Sequence, residues 1–222
     1  MTRTKRAGKG EAFLVPAEMR QPAADLGPRA HRTIARILDA ARQAFLTAGY
    51  SGTTIDEIAR LAEVSRASVY TYFPSKRDIM LAAGAQSSTE SEALIDRVPE
   101  MIVSEEGTIQ WVAEYFTFLE VQGSFAFAWT QAAHDDEEIR TAGMKRHLST
   151  CARLGKALAA VRDANVPDPT ALGLITMSMM ERSWNYGALY GAGMDAERLH
   201  LNIGKILWSS LRRLETTSAA TA

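Results

Sequence analysis

Residues 53–76, TTIDEIARLAEVSRASVYTYFPSK, restrict the possible folds more than any other stretch, because they contain three helix starts within twenty-four positions. Thr54 followed by Glu57 has the form of a capping box, in which the hydroxyl accepts from a backbone N–H and the carboxylate reaches back to the cap. Ser65 is placed to cap a second helix and Ser75 a third. Helices this short are marginal in water by themselves. We therefore expect two short helices that pack on each other and on a longer neighbour.

Helical periodicity continues on both sides of this stretch. Before it, apolar residues recur at three- and four-residue steps from residue 29, and Gly49 is expected to end this helix as a C-terminal cap. After it, helical patterns fill most of the chain and no convincing strand pattern occurs. The sequence therefore predicts an all-α protein of about nine helices with short connections. The later helical patterns cover 75–97, 106–121, 124–134, 137–164, 168–190 and 195–214.

The charged residues are distributed unevenly along the chain. Residues 1–80 contain 13 Lys and Arg against 8 Asp and Glu, whereas the remainder contains 12 against 18. A basic module that touches a polyanion, joined to an acidic body that does not, would give this distribution. A solvated basic tail would give it equally well, so the charge pattern leaves both interpretations open.

The cellular setting is predicted from apolar runs and cysteine content. No apolar run approaches the roughly 18 residues that a membrane span needs. The basic N-terminus is followed only by the short apolar piece FLV, which is too short for a signal peptide. One cysteine, Cys151, excludes an internal disulfide and suits a reducing compartment. We expect a soluble cytoplasmic protein with no membrane attachment.

The two short helices have the pattern of a helix-turn-helix. Ile58 and Ala59 on the first, with Val69 on the second, belong to one apolar stripe, and the polar residues of the second helix then face outward at the width of a DNA major groove. Arginine binds a guanine edge with two donors, serine binds a base or a phosphate, and tyrosine and lysine reach phosphates. Threonines at a helix start lie where N–H groups favour a phosphate. We predict DNA contacts from Thr53, Thr54, Ser65, Arg66, Ala67, Ser68, Tyr70, Tyr72 and Lys76.

The region 29–81 resembles the DNA-binding region of the tetracycline-repressor (TetR) family of bacterial regulators. The resemblance rests on the helix ending FLTAGY, then TTIDEIA, the turn AEVS and the exit VYTYFPSK. It implies a homodimeric repressor whose larger C-terminal domain dimerises and binds a small molecule, with Arg66, Ala67 and Ser68 at base-contacting positions. One departure is Glu63, where such turns commonly have Gly; a left-handed backbone there costs a non-Gly residue roughly 1 kcal/mol.

The domain organisation follows from these patterns. We predict a disordered arm over 1–28, a helix-turn-helix DNA-binding domain over 29–74, a ligand-binding and dimerisation domain over 75–216, and a disordered tail over 217–222. The basic residues of the arm could add contacts to DNA, although a mobile, unbound tail is the simpler expectation.

The C-terminal body is rich in aromatic residues and methionines, which suits either a packed core or an apolar pocket with a few polar groups. The resemblance implies a hydrophobic or amphipathic effector and no cofactor. The predicted ligand-binding residues are Trp111, Tyr115, Phe118, Phe125, Trp129, Leu148, Met177, Glu181, Trp184 and Asn185.

The helical patterns over 168–190 and 195–214 contain more apolar residues than packing within one protomer needs. By resemblance they form a four-helix dimer interface, which would read a pseudo-palindromic operator.

Two other classes of protein remain open. An enzyme could use His147 with Cys151, which share a helical face, but packing is the better explanation of the pair, and we predict that the protein is not an enzyme. The run 134–138, HDDEE, resembles a metal cluster, but consecutive helical residues point in different directions, so we predict no metal site. A helix-turn-helix protein that acts without a ligand is the third class. Repression and activation are both compatible with the sequence.

Overall fold

The computed structural model describes residues 26–162, 164–188, 193 and 195–219, and within them the protein is all-α with nine helices and no strand. The all-α prediction is confirmed. The helices are α1 (Pro28–Gly52), α2 (Ile55–Leu61), α3 (Arg66–Tyr72), α4 (Lys76–Ile95), α5 (Val98–Met101), α6 (Glu105–Asp135), α7 (Glu137–Val161), α8 (Pro169–Ala188) and α9 (Ala196–Ala219). No helix in this part of the chain combines the length and apolar character that crossing a membrane requires.

Helix α1 is amphipathic and begins with Pro28 in its first turn, where the missing N–H is not needed. Ile37 and Phe45 of its apolar face are almost fully buried. Gly49 has a φ of 68° and a ψ of 172°, a backbone conformation that glycine tolerates and that kinks the helix, and the chain coils for three further residues beyond it. The helix is thus interrupted at the predicted residue, although its C-terminal cap is Thr53.

The predicted helix starts at the two short helices are present. The Thr54 hydroxyl accepts the N–H of Glu57 at 3.2 Å, and Ser65 accepts the N–H of Ser68 at 3.0 Å. The reciprocal half of the capping box was predicted wrongly, because the Glu57 carboxylate binds the Arg60 side chain instead, at 2.6 and 2.9 Å. A guanidinium three residues along the same helix offers two donors where the cap backbone offers one.

The helix predicted over 75–97 agrees with α4, which covers Lys76–Ile95. The short helix α5, which has Pro99 in its first turn, lies between the predicted helices 75–97 and 106–121. The prediction of two separate helices after it was wrong. The patterns over 106–121 and 124–134 form the single helix α6, which continues through Gly123. A glycine costs a helix about 1 kcal/mol relative to alanine. A helix of 31 residues packed against its neighbours offsets that cost.

Two compact units make up the chain, residues 1–86 and 87–222, and their boundary falls inside α4. The sequence-based division places the boundary at the start of that helix. The arm over 1–28 and the end of the tail lie largely outside the described residues, whereas α9 extends to Ala219.

The second unit is built around large buried side chains of α6. Trp111 and Tyr115 are almost fully buried, and the indole N–H of Trp111 donates to the Leu94 carbonyl at 3.0 Å. Helices α7 and α8 meet backbone to backbone: a methyl group on Gly173 would stand 1.8 Å from the Cys151 carbonyl oxygen. An approach this close needs a residue without a side chain.

Candidate functional site

The turn between α2 and α3 shapes the first candidate site. Its second residue, Glu63, has a φ of 50°, so the left-handed backbone expected from the sequence is present without glycine. Arg36 of α1 donates to the Glu63 carbonyl oxygen at 3.3 Å and to its carboxylate at 2.9 Å. These bonds offset part of the conformational cost and fix the turn against α1. Beneath it, Ile58, Val69 and Phe73 are buried and hold the two short helices together.

The outward face of α3 presents most of the predicted DNA contacts. Ser65, Arg66, Ala67 and Tyr70 are exposed, while Ser68 and Tyr72 are half-buried. On α2, Thr54 is exposed at the helix start. The Ser65 hydroxyl oxygen accepts the Ser68 N–H as the cap of α3, so this oxygen is directed toward the helix. The large side chains exposed on this face of α3 are Arg66 and Tyr70.

Arg66 is held by two neighbours. Its Nη1 donates to both carboxylate oxygens of Asp56, at 3.0 and 2.8 Å, and its Nη2 donates to the Tyr70 hydroxyl at 3.4 Å. The guanidinium also lies 5.6 Å from the centre of the Tyr70 ring. The pKa of Arg66 is raised, first by the Tyr70 hydrogen bond and then by the charge of Asp56. A fixed cation thus stands at the exposed start of α3.

Two predicted contact residues are engaged inside the unit. Thr53 is only 2% exposed, and its hydroxyl donates to the Gly49 carbonyl at 2.7 Å. The Lys76 ammonium donates to the carbonyl oxygens of Tyr50 and Thr53, at 2.6 and 2.8 Å. Partial burial lowers the pKa of Lys76. Both residues stabilise the junction of α1, α2 and α4, and these bonds use two of the three ammonium donors of Lys76.

Sequence reasoning did not predict the contact of Asp56 with Arg66. The signal was the placement of an acidic residue in the first turn of α2 and an arginine in the first turn of α3. Taken together, a capped short helix, a fixed turn and an exposed arginine at the helix start define a helix-turn-helix DNA-binding unit.

The second candidate site lies in the second unit, where part of the predicted ligand-binding set comes together. Trp111, Tyr115 and Phe118 follow one face of α6 with ring centres 5.7 and 5.5 Å apart. The Tyr115 hydroxyl donates to the Glu181 carboxylate at 3.3 Å, which joins α6 to α8. Burial, and then the neighbouring carboxylate, raise the pKa of Tyr115 well above its usual value. Aromatic rings and a half-buried acid therefore meet at one place.

The other predicted ligand-binding residues vary in exposure. Phe125 and Trp129 form a second ring pair on α6, with centres 6.0 Å apart. Trp129 packs on α7, where a methyl group on Gly143 would lie 2.2 Å from the indole nitrogen. In the full set, Trp111, Tyr115, Phe125, Met177 and Trp184 are buried, Phe118, Trp129, Glu181 and Asn185 are half-buried, and Leu148 is exposed.

Cys151, on α7, has the surroundings of a packing residue. The thiol is buried and donates to the Met177 sulfur at 3.6 Å. Burial, and then the charge of Glu181, raise the pKa of this thiol to about 11. A nucleophilic cysteine needs a lowered pKa, so this environment disfavours the thiolate.

The acidic run 134–138 lies where α6 ends and α7 begins, and one of its residues caps α7. Asp136 lies between α6 and α7, and its carboxylate accepts the N–H groups of Glu138 and Ile139 at 3.0 and 3.2 Å. Within the described part of the chain, no three His, Cys, Asp or Glu side chains come together as the ligands of a metal ion would.

Comparison with known proteins agrees with the geometry of the first unit. Residues 37–83 match the family model described as bacterial regulatory proteins, tetR family. Over 72 residues the chain is 38% identical to the HTH-type transcriptional regulator SrpR of Pseudomonas putida, covering 32% of this chain and 33% of that protein. The likeness to this family therefore covers the helix-turn-helix of the first unit. The matched segment spans only about a third of the relative's length.

Solved structures extend the likeness in fold to the second unit. The fatty acid degradation regulator FadR from Bacillus halodurans has a TM-score of 0.65 at 19% identity and covers 84% of this chain and 98% of its own. FadR from Bacillus subtilis, solved in complex with stearoyl-CoA, has a TM-score of 0.60 at 18% identity and covers 79% and 97%. At these identities the likeness concerns the fold alone.

Proposed function

We propose that the protein is a transcriptional repressor that binds operator DNA as a homodimer and releases it when a hydrophobic or amphipathic small molecule enters the second unit. The observation that carries the proposal is the exposed start of α3, where Arg66 stands next to the Ser65 cap. Arg66 and Ser68 would read base edges, while Thr54, Tyr70, Tyr72 and the remaining donor of Lys76 would contact phosphates.

The proposed dimer uses α8 and α9. On these helices Ile175 is 68% exposed and Ile206 is 54% exposed, although both are large apolar residues. Ile203, Leu207 and Leu211, on the other face of α9, are buried within the protomer. An amphipathic pair of helices with apolar residues left outside suits a two-fold four-helix interface. Two reading helices about 34–36 Å apart would then enter successive major grooves.

The proposed release involves α4. This helix begins in the first unit and ends in the second, because the unit boundary falls between Gln86 and Ser87. Its first residue, Lys76, holds the carbonyls at the end of α1 and before α2. A ligand that favours a different position of α4 would change the spacing of the two reading helices, so the operator is released.

The ligand would contact the aromatic face of α6 and the Glu181 carboxylate. Support comes from the rings of Trp111, Tyr115 and Phe118 beside this acid, and from the stearoyl-CoA bound by a protein of the same fold. An enzyme that uses Cys151 fits less well, because the thiol is buried with a pKa of about 11.

The test selects binding sites for the purified protein from a random duplex library, without small molecules and at two salt concentrations. A two-fold symmetric site, whose affinity falls steeply with salt, is expected for the dimeric regulator. A monomer at micromolar concentration in sedimentation would contradict the dimer.

Stearoyl-CoA is the first effector probe, followed by other long-chain amphiphiles. An operator affinity unchanged by saturating amphiphiles would favour a helix-turn-helix protein that acts without such a ligand.

A further inference from the structure

Asp56 and Arg66 form an ion pair that bridges the two helices of the helix-turn-helix. Asp56 lies in the first turn of α2 and Arg66 in the first turn of α3, and Nη1 of the arginine lies within 3.0 Å of both carboxylate oxygens. The two side chains are 63% and 58% exposed. An exposed pair adds little to folding. The buried residues Ile58, Val69 and Phe73 already hold α2 and α3 together.

The pair restricts which donors of Arg66 are available. A guanidinium has five N–H donors in a rigid fork, and a carboxylate only accepts. With Nη1 on Asp56, the edge formed by Nε and Nη2 remains, and only a weak 3.4 Å bond to Tyr70 competes for it. Two adjacent donors are what guanine O6 and N7 require. Arg66 therefore has the donors to bind guanine while it keeps its bond to Asp56.

A phosphate contact has a different consequence. If Arg66 turns from the groove toward the backbone, it leaves Asp56, and an unpaired carboxylate then faces the polyanion. Like charges brought together at an interface weaken the wrong complex, and such repulsion is a common source of specificity.

We propose that Asp56 is a positioning residue that raises DNA specificity by holding Arg66 on base edges and away from phosphates. The proposal rests on the proposed function as a DNA-binding regulator. The proposal gives α2 a role in distinguishing the operator from other DNA, separate from any contact of α2 with the DNA phosphates. It predicts that Asp56 lowers the affinity for DNA lacking the operator.

The test compares Asp56→Asn with Glu57→Gln. Each variant removes one negative charge from the first turn of α2 without changing side-chain size, but Glu57 is paired with Arg60 and not with Arg66. Binding is measured for the selected operator and for a scrambled duplex across a range of salt. Relative to E57Q, D56N should bind the scrambled duplex about threefold more tightly or better, so that the specificity ratio falls. Its salt slope on that duplex should steepen by up to about 0.9, the value for one more phosphate contact.

An Arg66→Ala background separates positioning from a general charge effect. In that background the steeper salt slope of D56N should be lost, because the arginine that would reach a phosphate is missing, and any gain in affinity that remains reports the Asp56 charge alone. Thermal unfolding of each variant shows whether loss of the exposed Asp56–Arg66 pair changes the stability of the protein, which could alter DNA binding indirectly. Equal specificity ratios for D56N and E57Q, with a clear operator preference in the unmodified protein, would overturn the role of Asp56 alone. If the unmodified protein selects no common sequence, the proposed function fails, and the role of Asp56 fails with it.

Discussion

The ammonium group of Lys76 lies 2.6 Å from the carbonyl oxygen of Tyr50 and 4.5 Å from the centre of its ring. The carbonyl belongs to the last turns of α1 and also accepts the backbone N–H of Thr53, at 3.4 Å. The same ammonium also binds the Thr53 carbonyl at 2.8 Å. The first residue of α4 is thereby tied to the point where α1 ends and α2 begins.

Replacing Lys76 by Met tests this tie, because methionine keeps much of the apolar stem and removes the ammonium. Loss of two charge-assisted hydrogen bonds should lower the free energy of unfolding by about 1–3 kcal/mol. Binding to all duplexes should weaken alike, because the position of α3 depends on this junction. The measurement is urea unfolding together with operator affinity over a range of salt. Unchanged stability with a salt slope reduced by about one would show instead that Lys76 acts mainly on a phosphate.

Arg66→Ala should reduce affinity for the selected operator roughly tenfold to a hundredfold and relax the preference at one base pair. The reason is the loss of two donors aimed at a guanine edge. Arg60→Ala is the matched control, because Arg60 is an exposed arginine of α2 that pairs with Glu57. Binding of a duplex series with single base changes gives the preference at each position. An equal loss on every sequence would make Arg66 a phosphate contact.

Local chemistry was enough to predict the helix starts and the turn of the first unit. The caps at Thr54 and Ser65 depend on residues three positions apart, so short-range rules find them. The left-handed turn at Glu63 was predictable because its place in the motif determines the backbone. Residues within one helix turn also behaved as expected: Trp111 and Tyr115 lie in contact on one face of α6.

Contacts between distant parts of the chain were not predictable in the same way. Lys76 and Tyr50 are 26 positions apart, and Arg36 and Glu63 are 27 apart. No periodicity connects such residues, since their contact depends on how separate helices pack. Helix α6 shows the same limit, because tertiary packing carries it through a glycine that local propensity treats as a break.

Gly173→Ala should destabilise the second unit, because its new methyl group would stand 1.8 Å from the Cys151 carbonyl oxygen. Separating α7 from α8 to make room should cost about 1–3 kcal/mol or more. Gly187→Ala is the matched control on the same helix, since a methyl group there meets nothing within 4 Å. The control should be neutral or up to about 1 kcal/mol more stable, as alanine favours helix. Similar unfolding midpoints for both variants would mean that α7 and α8 do not approach this closely.

Glu181 is the titratable group that connects the ligand-binding prediction to pH. Burial raises the pKa of its carboxyl group, while the charge of His147 and the Tyr115 hydrogen bond act in the opposite direction. A carboxyl group whose pKa is higher in the folded protein binds more protons there than in the unfolded chain. Folding stability from this group is therefore present at low pH, and it is lost as pH rises from the unfolded value of about 4.3 through the folded one.

Glu181→Gln should remove this component of the pH dependence. The variant keeps an acceptor for the Tyr115 hydroxyl but carries no charge, so its stability relative to the unmodified protein should improve as pH rises from 4 to 8. Urea unfolding at a series of pH values measures the difference, and Glu100→Gln, at an exposed position of α5, is the control. A constant difference across the range would mean that Glu181 titrates alike in both states. If an effector brings a cation to this acid, the advantage of the Gln variant should shrink when that effector saturates both proteins, because the ligand then stabilises the charged carboxylate.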